Sequence, residues 1–193
     1  MKKILLLLAD GFEIYEAAAF FDVIGWANEF GNTDIRIAIA GSHLNLKSTF
    51  GLRIEANILL EHVNPAMYDA LAIPGGFETA GFYNDAFSAP FLKIINDFKH
   101  LNKPIASICV GALTLGKSGI LRGKCATTYH LNNGKRRNQL SEMNVHVLDS
   151  PIVVDDDIIT STSPATAIQV AIKLLARLTT QENADHIYQL MGF

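Results

Sequence analysis

The residue whose surroundings most favour chemistry is Cys109. It ends the apolar run Pro104-Ile105-Ala106-Ser107-Ile108, and Val110-Gly111-Ala112 follows it. An apolar strand that runs into a cysteine, with small residues opening a helix behind it, has the pattern of a nucleophile elbow. The tight turn brings strand and helix backbones together, and Gly111 and Ala112 supply the room. A helix N-terminus favours a thiolate over a thiol. The N–H of Val110, with one from the Gly75-Gly76 turn, could serve a developing oxyanion. These effects predict a Cys109 pKa well below the free-thiol value of about 8.5. The chemistry would be attack of sulfur on an electrophilic carbon. Free cysteines are also common as small buried hydrophobes. Cys125, inside Lys124-Cys125-Ala126-Thr127, reads that way.

The elements that must position Cys109 alternate along the chain. Residues 3–9 read as a buried strand. Glu13 to Phe30 reads as a helix, with Ala17, Phe20, Phe21, Ile24 and Ala27 at helical spacing and Gly31 as its stop. A second strand covers Asp34 to Ala40, an extended excursion or hairpin 44–60, and another strand Tyr68 to Ile73. A helix over Ala89 to Leu101 and a strand over Pro104 to Ile108 lead to Cys109, and a helix spans Gly111 to Ser118. Short strands follow at Lys124 to Thr128, Val145 to Leu148, Ile152 to Asp155 and Ile158 to Ser161. A long helix covers Ala165 to Leu178, and the tail to Phe193 adds one more. Asn132 to Gln139, polar and containing Gly134, reads as the most flexible stretch. Strand alternating with helix predicts an α/β fold, a mostly parallel sheet with helices on both faces.

Composition agrees. The 193 residues suit one domain, 1–193. They are 49% hydrophobic and 18% charged, which fits a sheet covered on both faces. A net charge of -3 argues against a nucleic-acid surface. The basic run Lys135-Arg136-Arg137 is short and reads as a solvated loop face. Two cysteines make no disulfide framework. The apolar run after Met1-Lys2-Lys3 is short and meets Asp10-Gly11-Phe12-Glu13 at once, so it does not read as a signal peptide. No stretch reaches the roughly 18 apolar residues of a membrane span. A reducing, cytoplasmic setting is expected. His43, His62, His100, His146 and His186 are scattered without metal-ligand spacing.

Four segments in order carry a family resemblance: Ala9-Asp10-Gly11-Phe12-Glu13-Ile14-Tyr15-Glu16, Pro74-Gly75-Gly76, Ala106-Ser107-Ile108-Cys109-Val110-Gly111 and Ala126-Thr127-Thr128-Tyr129-His130. Together they resemble the ThiJ/PfpI superfamily over nearly the whole chain. The resemblance implies a flavodoxin-like three-layer sandwich, related to class I glutamine amidotransferase domains, and a homodimer. It implies an acid after the first strand whose protonated carboxyl hydrogen-bonds the thiolate. Aligned on Gly11 and Asp22, that acid is Glu16 rather than Glu13. Three alanines and two phenylalanines follow Glu16, so its surroundings are apolar. Burial beside an anion would keep its carboxyl protonated.

The match slips at the histidine. Relatives have Thr-Thr-His here, whereas this chain has Thr127-Thr128-Tyr129-His130. In a strand, a shift by one residue turns the side chain to the other face. Either a local bulge or turn returns His130 to the site, or Tyr129 takes the facing position as a phenolic donor.

The resemblance implies an enzyme that needs no cofactor and no metal and acts on small reactive electrophiles, by glyoxalase, deglycase or related hydrolase or hydratase chemistry. Cys109 would be nucleophile, Glu16 acid and base, with the amides of Gly76 and Val110 at the oxyanion. A redox-sensing or chaperone-like stress-response protein with an oxidisable Cys109 is the alternative. A peptidase- or amidase-like role is the third reading. Against it, Val110 stands where peptidase-like relatives have histidine, and Thr160 to Thr166 lack the His-x-Glu pair of amidotransferases.

Overall fold

The computed structural model describes residues 1–31 and 33–193. Strand β1 (Lys2–Leu7) leads to helix α1 (Ile14–Phe30) and strand β2 (Ile35–Gly41). The excursion is a hairpin of β3 (Asn45–Lys47) and β4 (Arg53–Glu55), followed by β5 (Ile58–Leu59). Then come β6 (Ala70–Ile73), α2 (Phe82–Ala86), α3 (Ala89–His100), β7 (Ile105–Ser107) and α4 (Gly111–Ser118). The last third contains β8 (Cys125–Ala126), α5 (Lys135–Ser141), β9 (His146–Val147), β10 (Ile152–Asp155), β11 (Ile158–Ser161), α6 (Ala167–Leu178) and α7 (Gln181–Leu190).

Seven strands form the central sheet in the order β10-β11-β7-β6-β1-β2-β5. All neighbours run parallel except β10 against β11. Helices α1, α6 and α7 pack together as one layer, and α2 to α5 as the other. The strand sequences follow from this sandwich. Ile4 to Ala9, Ala70 to Ile73 and Ile105 to Ala106 are wholly buried, as continuous apolar runs must be when both faces are covered.

The strand order reverses beside β1. The chain moves from β1 outward to β2 and β5, then crosses back to β6 on the other side. At such a switch point the loops after the two strands part and leave a crevice at the carboxyl ends. The loops after β1, β6, β7 and β11 all emerge along this edge, and β11, β7, β6 and β1 are consecutive in the sheet.

Three elements differ from the sequence reading, the first being the short helix α2, which it did not expect. Asn132 to Gln139 is largely helix α5, which buries only Leu140, so no apolar periodicity marked it. The strand read over Lys124 to Thr128 is only Cys125–Ala126. Thr127 and Thr128 run on without strand pairing.

Glycines let the loops at the carboxyl edge close up. Gly76 forms an antiparallel bridge with Phe12, flanked by bonds from Glu13 N to Gly75 O (2.8 Å) and Phe77 N to Gly11 O (3.1 Å). A β-carbon on Gly76 would lie 2.3 Å from Phe82 Cδ2 and 2.4 Å from Gly11 O. Gly76→Ala is therefore expected to destabilise the fold by about 1–3 kcal/mol, as overpacking does. Gly25 lies within α1, and a β-carbon there would meet nothing within 4 Å. Gly25→Ala is therefore expected to stabilise by about 0.5–1 kcal/mol through helix propensity. Urea denaturation of the two variants checks the opposite signs.

Candidate active site

The turn from β7 into α4 places Cys109. Its φ is +55°, a left-handed conformation rare for a residue with a side chain. Such strain persists where the surroundings fix it. The Thr128 hydroxyl donates to the Cys109 carbonyl at 2.8 Å. Gly111 must lack a side chain, because a β-carbon there would sit 2.9 Å from Ile73 O.

Glu16 reaches the site from the first turn of α1. Glu13 is the N-cap of that helix, and its Oε2 accepts from Glu16 N at 3.0 Å. The helix start thereby turns Glu16 inward, where it is 0% exposed. Gly75 N donates to Glu16 Oε2 at 2.6 Å. A β-carbon on Gly75 would press on that oxygen and on Val110 N, each at 3.0 Å. Glu16 Oε1 has no hydrogen-bond partner among the described residues, and Cys109 is the neighbouring side chain that acts on the acidity of this carboxyl.

Both acids are pushed upward. Burial raises Glu16 from 4.5 to about 8, opposed by the Gly75 amide and assisted by Glu13. Glu16 is therefore a neutral carboxylic acid at pH 7. Burial also raises the Cys109 thiol, and a charged Glu16 raises it further. The Val110 amide, donating to the sulfur, works the other way. The helix N-terminus alone favoured a low thiol pKa; the buried setting reverses that direction. Two acids this close lose protons as a pair, and burial tolerates one negative charge far better than two. When the proton stays on Glu16, the charge can rest on sulfur, against the Val110 N–H.

A cavity of about 310 Å³ opens onto this pair. Glu13, Glu16, Gly76, Cys109, Val110 and Tyr129 line its inner part. The structure thus brings Cys109, Glu16, Gly76, Val110 and Tyr129 together. His130 does not join them: it is exposed and outside the lining. The chain past Ala126 is not a strand, so neither strand alternation nor a bulge decides the matter; Tyr129 lines the cavity and His130 does not. The basic run is also not a solvated loop face throughout. Lys135 and Arg136 open α5 and line the cavity with Glu78. The sequence shows the run as basic, but nothing in it reveals that α5 folds over the elbow. Glu13 and Thr128 lie inside the quoted motifs, yet their capping and pinning bonds depend on tertiary placement. Among the described residues, no His, Cys, Asp and Glu cluster could hold a metal. None of the described helices is long and apolar enough to cross a membrane.

The DJ-1/PfpI family model matches residues 2–177. The chain belongs to the DJ-1/PfpI family. It is 29% identical to a Schizosaccharomyces pombe protein described as a glutathione-independent glyoxalase DJ-1, over 100% of this chain and 99% of that one. It is 28% identical to DJ-1 homolog A of Arabidopsis thaliana over 98% of this chain. The chain spans less than half the length of the two Arabidopsis relatives it matches, 46% and 40%. Drosophila melanogaster DJ-1beta superposes with a TM-score of 0.84 at 26% identity, covering 98% of this chain and 97% of that one. The flavodoxin-like sandwich is shared with these structures.

The buried acid makes a signed stability expectation. Glu16 has a folded pKa above its unfolded value, so it contributes stability below pH 4.5 that is lost as pH rises to about 8. Glu16→Gln keeps the shape without the charge. It is expected to match the parent near pH 5 and to exceed it by about 3–5 kcal/mol above pH 8. Thermal unfolding at the two pH values tests this; equal effects at both would contradict a raised Glu16.

Proposed function

We propose that this protein is a cysteine-dependent enzyme acting on small reactive electrophiles, with α-oxoaldehydes such as methylglyoxal as the leading substrates. The carrying observation is Cys109 at a left-handed elbow, coupled to a neutral buried Glu16 and facing a small cavity. The glyoxalase description of the S. pombe relative supports the same class.

The residues suffice for the chemistry. The Cys109 thiolate attacks the aldehyde carbon, forming a C–S bond while the carbonyl electrons move to oxygen. Gly76 and Val110 line the cavity and their amides would serve that oxygen as donors, while the neutral Glu16 carboxyl gives it a proton, completing a hemithioacetal and leaving Glu16 a carboxylate. Glu16, as its carboxylate, takes the hydrogen of this carbon as a proton, and the adjacent carbonyl carbon is protonated. The first carbon is oxidised to a thioester and the second reduced to an alcohol, so no external oxidant enters. Water then cleaves the C–S bond, releasing a hydroxy acid and the thiolate. Tyr129 supplies a phenol at the cavity wall. A homodimer is the expected assembly.

A second reading is oxidation sensing at the same sulfur. A Toxoplasma gondii DJ-1 structure described as oxidised superposes with a TM-score of 0.81 at 26% identity. Under mild peroxide this reading expects two oxygens added to Cys109 before Cys125. Mass spectrometry showing equal oxidation of both would count against it.

For the enzyme reading, purified protein is expected to convert methylglyoxal to lactate without added glutathione or metal. Cys109→Ser is expected to abolish this, and Glu16→Gln to lower it by about 10²-fold or more. Burial pushes the Glu16 carboxyl up to about 8, so if reaction needs one proton lost from Glu16 and Cys109 together, kcat/KM is expected to climb from pH 6 to pH 8. Turnover that survives Cys109→Ser would refute the mechanism.

A further inference from the structure

The rim of the cavity is built differently from its floor. Cys109 and Glu16 are deep, whereas Lys135 and Glu78 are each 55% exposed in their side chains. Lys135 Nζ and Arg136 Nη2 both meet one oxygen, Glu78 Oε2, at 3.1 Å and 2.8 Å. Two cations therefore share one carboxylate, and one positive charge is left over. Arg136 is held firmly: Nη1 donates to Gln139 Oε1 at 2.9 Å, and its guanidinium carbon lies 5.1 Å from the Tyr83 ring centroid. A guanidinium has five N–H donors, and these two bonds leave others for a ligand. The surplus belongs to the rim: of the other acids in the lining, Glu16 is neutral at pH 7, and Glu13 is buried with its Oε2 capping α1, whose N-terminal partial positive charge offsets a carboxylate there.

We propose that this rim selects electrophiles that carry a carboxylate: the reactive carbonyl goes to Cys109 and the carboxylate to Arg136 and Lys135. The same cavity is involved, and the proposal rests on the reading of Cys109 as its nucleophile. A surplus of one positive charge matches a carboxylate better than a phosphate dianion. A planar guanidinium also presents the paired donors that a carboxylate accepts. A cavity of about 310 Å³ has room for one small acid and no macromolecule. Glu78 opposes such a ligand, so its neutralisation should strengthen binding while loss of either cation weakens it. In the cavity Arg136 and Lys135 are binding groups that take no part in proton transfer.

Two alkylating agents of nearly equal shape test the charge directly. Iodoacetate carries a carboxylate and iodoacetamide does not, and in both the Cys109 sulfur displaces iodide. Peptide mass spectrometry reads the labelling rate of Cys109, with Cys125 as the internal reference. The ratio of iodoacetate to iodoacetamide rates at Cys109 is expected to fall about fivefold in Arg136→Gln, the size of one partly exposed charge pair. It should fall in Lys135→Gln and rise in Glu78→Gln, whose exposed position makes misfolding an inadequate explanation. A ratio unmoved by all three changes would overturn the proposal, as would a Cys109 that neither reagent labels. Turnover is followed in parallel with an α-oxoaldehyde bearing a terminal carboxylate and with its methyl ester. A lower KM for the acid, lost in Arg136→Gln, supports the proposal; absence of turnover with a shifted alkylation ratio refutes the enzyme reading and leaves the carboxylate subsite standing.

Discussion

The constraint on which the proposed chemistry depends is a fully buried carboxyl, Glu16, brought to the same cavity as the half-buried thiol of Cys109. Glu16 and Cys109 come from distant parts of the chain, one from the helix after β1 and the other from the turn after β7. Glu16 alone would be an unfavourable buried acid. Together they form a pair that can keep a single negative charge, placed on sulfur when the carboxyl remains protonated. Backbone amides decide how that charge is divided. Gly75 N serves the carboxyl, and Val110 N serves the sulfur.

The fold exists around this meeting in a concrete sense. Parallel strands bring four loops to one edge, and the reversal of strand order beside β1 opens the crevice. The glycines at 76 and 111 then allow backbone to approach backbone and side chain at distances no β-carbon would permit, and Gly75 leaves room for the Glu16 carboxyl and the Val110 amide. The Glu13 cap fixes the first turn of α1, and the Thr128 hydroxyl holds the Cys109 carbonyl. These small contacts maintain a positive φ at cysteine that no local preference would choose.

Much of this was legible in the sequence, for physical reasons. Runs such as Ile4 to Ala9 are apolar throughout because both sheet faces are covered, and that pattern needs no partner to be read. The elbow was visible because a close turn demands small residues after Cys109. Helix α5 was not visible, since Lys135-Arg136-Arg137-Asn138-Gln139 has no apolar stripe and only Leu140 is buried. Its arrival over the cavity is a tertiary fact. The thiol pKa moves opposite to the local expectation for a related reason: helix-end charge is local, whereas burial and a facing carboxylate belong to the folded whole. The Tyr129 and His130 ambiguity depended on a strand through Thr128, and that strand stops at Ala126.

Where the shared proton sits can be read directly by carbon-13 NMR of the Glu16 side-chain carboxyl, followed from acid to alkaline pH. A carboxyl still protonated at pH 7 that titrates near 8, with a matching change in the Cys109 signal, is the expected result. A Glu16 carboxyl that ionises near its ordinary value of 4.5, with no response at Cys109, would contradict the shared-proton pair.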